Sequence, residues 1–146
     1  MNSLNTSSRG ARLAGGILLL ILLLAAAYLV VYQWKLEGYV YRYYIIRYQA
    51  IRVMAAIPAL YFSGSALFGL AVQAWARRPI AAGVRRLCAV LCALLLLLYL
   101  LYWALSYAAV PLVAGLYPAF LFLSAHPALW GIPGLLCAVA TFRGPC

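Results

Sequence analysis

Three stretches of this chain run for more than twenty residues without a charge: Leu13–Trp34, Val53–Ala76 and Leu87–Val110. A helix needs about 20 apolar residues to cross the roughly 30 Å hydrocarbon core of a bilayer. Each stretch therefore predicts a transmembrane helix. A fourth apolar stretch, Leu112–Phe142, is longer and is interrupted by prolines. Barrel strands would alternate apolar and polar residues. Runs such as Leu94–Leu98 do not alternate, and their leucines favour helix. The expectation is an all-α membrane protein, a single integral domain over residues 1–146. Its four transmembrane helices fall at about 13–34, 53–76, 87–110 and 119–142, as two antiparallel hairpins with a kinked fourth helix.

The charges narrow the chemistry. Only 8% of residues are charged, against about a quarter in a soluble domain. Glu37 is the sole acidic residue, and the net charge is +10. One carboxylate supports neither a general acid–base pair nor a carboxylate metal site nor an Asp/Glu proton relay. With no Asp there is no Ser-His-Asp set, and no Gly-rich phosphate loop occurs. The basic residues flank apolar runs, so they point to anionic lipid headgroups rather than nucleic acid. The Ala, Leu and Arg bias with a single Lys fits a high-GC bacterial source and hence an inner (plasma) membrane.

Orientation follows from where Lys and Arg fall. Arg9 and Arg12 precede the first helix, and Lys35, Arg42, Arg47 and Arg52 separate the first from the second. Arg77, Arg78, Arg85 and Arg86 separate the second from the third, and Arg143 follows the fourth. With both termini in the cytoplasm, seven basic residues lie inside and four outside. Arg9 and Arg12, then Ile17–Leu24, then Ala25–Ala27 resemble a signal peptide with a small-residue cleavage site. Apolar character continues through Tyr28–Tyr32, which favours an uncleaved anchor.

The first outer loop, residues 35–52, holds five of the twelve tyrosines and four of the eleven basic residues. It is neither a clean amphipathic helix nor an alternating strand. Its tyrosines fit a belt at headgroup depth, with arginines reaching phosphates. Tyr and Arg are also types enriched at interface hot spots, which makes Tyr43, Tyr44, Arg42, Arg47 and Arg52 candidate binding residues. Glu37 has Lys35, Arg42 or a lipid amine as partners within reach. The second loop is short, with Arg pairs that anchor topology and with Pro79 and Gly83 breaking helix continuity.

In the last apolar stretch, prolines 127 and 133 predict kinks in helix 119–142. The alternative is a re-entrant hairpin of Leu112–Ala125 and Ala128–Phe142 broken at His126-Pro127, an arrangement that needs protein or water cover. A faint internal echo relates Pro58–Phe62 to Pro118–Phe122 and Ser65–Gly69 to Pro127–Gly131. Small apolar alphabets produce such matches readily.

His126, the only histidine, is an intramembrane group able to ligate a metal or shuttle a proton, although a neutral, hydrogen-bonded ring is the simpler explanation. Cys88 and Cys92 are four residues apart on one helix face, and Cys137 and Cys146 fall toward the same, cytoplasmic end. The spacing is not that of a zinc site, so no metal and no cofactor is expected. Cys88, Cys92 and Cys137 are weak metal candidates, and small apolar filling is the simpler role. Four-residue steps of small residues, Ala55, Ala59, Ser63 and Ser65, Gly69 on helix two and Gly134, Ala138 on helix four, mark close helix contacts. The functional expectation is a non-catalytic accessory or assembly subunit that meets a membrane-protein partner. A small homo-oligomeric transporter or channel for an anionic or apolar solute is the alternative.

Overall fold

The computed structural model describes residues 3–36, 51–76, 80–107, 122 and 125–141. Every regular element among them is helical. We number the four α-helices α1 (Ser3–Val31), α2 (Ile57–Ala76), α3 (Ala82–Tyr107) and α4 (Gly131–Thr141). A π-helical turn, Tyr32–Leu36, prolongs α1, and another, Arg52–Ala56, leads into α2. A 3₁₀ turn, Pro127–Trp130, leads into α4.

Three helices are long and apolar enough to cross a membrane: Leu13–Trp34, Arg52–Ala76 and Ala82–Leu101. This is the architecture of a multi-pass integral membrane protein. The third window opens at Ala82, ahead of Arg85 and Arg86, because arginines at a helix end reach back to the headgroups along their own methylenes. The fourth apolar segment, Pro127–Thr141, is shorter. At 1.5 Å per residue it covers about 22 Å.

The fourth helix is broken where a kink was expected. His126 has φ −122° and ψ 67°, outside the helical region. A residue before proline is driven from the α region by the proline ring. Pro127 therefore starts a new turn, with Leu129 N–H donating to His126 O at 3.0 Å. Ahead of the break, Phe122 and Ala125 are helical, and His126 N–H donates to Phe122 O at 3.0 Å. Pro133 stands in the first turn of α4, where a missing N–H is tolerated. Residues 119–121, 123, 124 and 142 lie outside the described residues, so the expected helix 119–142 is described only in part.

The helices form a row in the order α1, α2, α4, α3. The structure buries 28% of the α2 span, against 11% of α1 and 6% of α3. Contacts fix the directions. Arg52 meets Tyr32 and Gly64 lies near Leu22, so α1 and α2 are antiparallel. Gly134 meets Phe62 and Ser65 while Gly69 meets Ala138, so α2 and α4 run parallel. Tyr99 meets Trp130 and Cys92 meets Pro133, so α3 and α4 are antiparallel. Trp34 and Trp75, both more than four-fifths exposed, stand at the ends of antiparallel spans. They suit the two opposite interfaces of a bilayer.

Candidate functional site

The densest contact is the seam between α2 and α4. Ser63, Ala66 and Ala138 are fully buried, and Gly69 and Gly134 are buried beside them. A Cβ added at Gly69 would sit 2.7 Å from the Ala138 Cβ. One added at Gly134 would overlap the Phe62 carbonyl and the Ser65 hydroxyl. In lipid, helices associate through such close backbone packing, because apolar surface gains little by leaving a solvent that is itself apolar. Of the small residues singled out in the sequence, Ser65, Gly69, Gly134 and Ala138 meet across this seam. Ala59 accepts from Ser63, and Ala55 lies in the π turn before α2. Ala66 shows the same burial, and its spacing from Ser63 and Gly69 on one helix face could have revealed it.

Ser63 brings the one fully buried hydroxyl among the described residues, and its own helix satisfies it. Its Oγ donates to Ala59 O at 2.5 Å and approaches Leu60 O at 3.4 Å. Ser65 Oγ donates to Phe62 O at 3.0 Å. These are local back-bonds. Ser63→Ala should therefore change thermal stability in detergent by less than about 1 kcal/mol, since neither partner is left stranded away from a helix. Ser63→Leu should fail to assemble. A large loss from the alanine variant would assign the hydroxyl a role beyond its own helix.

A second cluster joins the end of α1 to the start of α2. The Arg52 guanidinium carbon lies 4.9 Å from the ring centre of Tyr32, which is buried and packs on Tyr28 at 6.4 Å. An aromatic face attracts a cation in this position. Pro58 has no N–H for the carbonyl of Met54, four residues earlier. Trp103 Nε1 donates to Met54 O at 3.4 Å, so α3 supplies a donor that proline withholds. Of the other candidate binding residues, Arg42, Tyr43, Tyr44 and Arg47 lie outside the described residues.

His126 is exposed at the helix break. Its Nδ1 lies 2.9 Å from Phe122 O, and its ring packs on Phe122 at 4.4 Å. A carbonyl only accepts, so Nδ1 carries the proton and a neutral ring keeps its lone pair on Nε2. It belongs to no group of three metal-ligand side chains among the described residues. Gln73 has its Oε1 buried with no hydrogen-bond donor among the described residues.

The cysteines divide. Cys92 is buried, and its Sγ donates to Pro133 O at 3.4 Å. Cys137 stands on α4 one turn after Pro133, and both thiols are free. Cys88 does not complete a metal set with them: no three His, Cys, Asp or Glu side chains among the described residues group so as to hold an ion.

Comparison with known proteins gave no relative: no family model matches the chain, and no curated protein or solved structure resembles it.

Proposed function

We propose that the protein is a non-catalytic, multi-pass subunit of a membrane complex, one that supplies helices and holds a membrane-protein partner. The observation that carries this reading is the closed α2–α4 seam. Its glycines meet neighbouring atoms within van der Waals distance, leaving no passage between the two central helices. The outer helices α1 and α3, by contrast, turn most of their apolar surface outward. We place it in a bacterial inner membrane with both termini cytoplasmic, its arginines meeting anionic headgroups, and we assign it no enzymatic activity and no cofactor. The Tyr/Arg segment 35–52 is the proposed contact for the partner.

A second reading has one observation in its favour. Helices broken at mid-membrane depth line solute sites in transporters, and the chain leaves the helix at His126 before Pro127. A homo-oligomer could enclose an anionic or apolar solute beside that break.

The test is extraction of a tagged copy from its own cells in a gentle detergent, followed by native mass spectrometry. A stoichiometric second protein is the expected result. A clean homo-oligomer that is stable when expressed alone would overturn the subunit reading in favour of the carrier.

A further inference from the structure

Two π-helical turns meet where α1 ends and α2 begins. Tyr32 opens one and Arg52 opens the other. Such turns are rare, and they recur at functional sites. Here they carry a built contact. The Arg52 guanidinium carbon stands 4.9 Å from the centre of the Tyr32 ring, and that ring is only 7% exposed and packs on Tyr28. Two residues along, the Met54 carbonyl accepts from the Trp103 indole, so α3 braces the same turn.

Three span ends coincide at this point. Arg52 is the first residue of the α2 span, Trp34 is the last of the α1 span, and Trp103 lies just past the α3 window. A cation and two indoles at the ends of apolar spans mark headgroup depth. The charge there needs an anion. The chain has eleven basic residues and one acidic, so at least ten of its cations take counter-ions from their surroundings. The Tyr32 ring face attracts the Arg52 charge but uses none of its five N–H donors. Those donors form the fork that grips two oxygens of a phosphate. Because the ring already holds the side chain, less rotamer freedom is lost on binding.

We propose that Arg52, held on Tyr32, binds the phosphate of one anionic phospholipid in the leaflet that meets this end of the bundle. The inference rests on the headgroup role given above to the arginines as a group, and gives one of them a stoichiometric lipid. The guanidinium donates to two phosphate oxygens while the acyl chains follow the apolar spans. A headgroup that adds an ammonium is disfavoured, because among the described residues no carboxylate is present to receive it.

The experiment uses the delipidated full chain in a neutral maltoside detergent, with bound lipid counted by native mass spectrometry across a titration. The probe is dioleoylphosphatidylglycerol. The expected result is a first lipid that saturates at one per chain and binds about tenfold more tightly than dioleoylglycerol, which lacks the phosphate. Millimolar inorganic phosphate should not displace it. Arg52→Gln should weaken the first lipid about tenfold, and Arg52→Lys, which keeps the charge but loses the fork, about threefold. Arg85→Gln, at the opposite end of the bundle, and Glu37→Gln should leave it unchanged. The comparison of the two lipids on the wild-type chain decides the matter even if a variant folds poorly. Equal losses from Arg52→Gln and Arg85→Gln would remove the site while leaving a diffuse headgroup contact standing. Equal binding of dioleoylglycerol would remove both. Displacement by inorganic phosphate, or a first lipid that appears only in Glu37→Gln, would also overturn the proposal.

Discussion

Replacing Gly134 by alanine should cost about 2 kcal/mol of stability, the usual penalty for forcing an extra carbon into a packed interior. The added Cβ would overlap the Phe62 carbonyl, which is helix backbone and has little freedom to yield. To admit it, α4 would have to move off α2 along the seam that also buries Gly69 against Ala138. The same substitution elsewhere supplies the comparison. At Gly64 the new carbon meets only Leu22 Cδ1, at 3.7 Å, an ordinary contact. At Gly83 it meets nothing within 4 Å, and alanine in a helix is favoured over glycine by up to about 1 kcal/mol. Unfolding in mixed detergent micelles should therefore rank Gly134→Ala well below wild type, with Gly64→Ala near it and Gly83→Ala at or above it. Equal stability for all three would mean that α2 and α4 do not pack along this seam.

Neutralising Arg77, Arg78, Arg85 and Arg86 together should scramble the orientation of the chain. In the proposed topology these four supply more than half of the seven inner basic residues. Changing them to Gln leaves three inside against four outside, so the bias that orients the helices disappears. A reporter fused to the C-terminus and active on one side only should then be found on both. Restoring the Arg85 and Arg86 pair should recover part of the preference. An unchanged orientation would shift the decision to the first helix and its Arg9 and Arg12.

The spans were legible because charge-free length is a strong signal. The first span, Leu13–Trp34, is the apolar part of a helix that already begins at Ser3. The third helix begins five residues ahead of its charge-free stretch, because long side chains let Arg85 and Arg86 sit inside a helix end. The break at His126 was half legible: Pro127 announced a disturbance, and the pre-proline backbone preference turned a kink into an interruption. Contacts that depend on register across helices were not legible. Trp103 reaching Met54 O and Cys92 reaching Pro133 O join residues 49 and 41 positions apart. No periodicity within one helix reports which turn of another it will face. The candidate site residues Arg42, Tyr43, Tyr44 and Arg47 rest on residue type alone, since the described residues do not include them.

The row α1, α2, α4, α3 does not follow chain order, and this sets a timetable for biogenesis. As the chain leaves the ribosome, α1 and α2 can dock as soon as both are in the bilayer. The next helix, α3, enters before the neighbour it chiefly packs against has been made, with only contacts such as Trp103 to Met54 O open to it. It has to be stable in lipid alone, and its leucine run, Leu94–Leu98, meets that demand. Only when α4 emerges can the orphan be recruited, closing the Gly134 seam on one side and the Cys92 contact on the other. A chain truncated just before Gly131 should therefore leave α3 adrift in the membrane, a target for quality-control proteases although none of its own residues has changed.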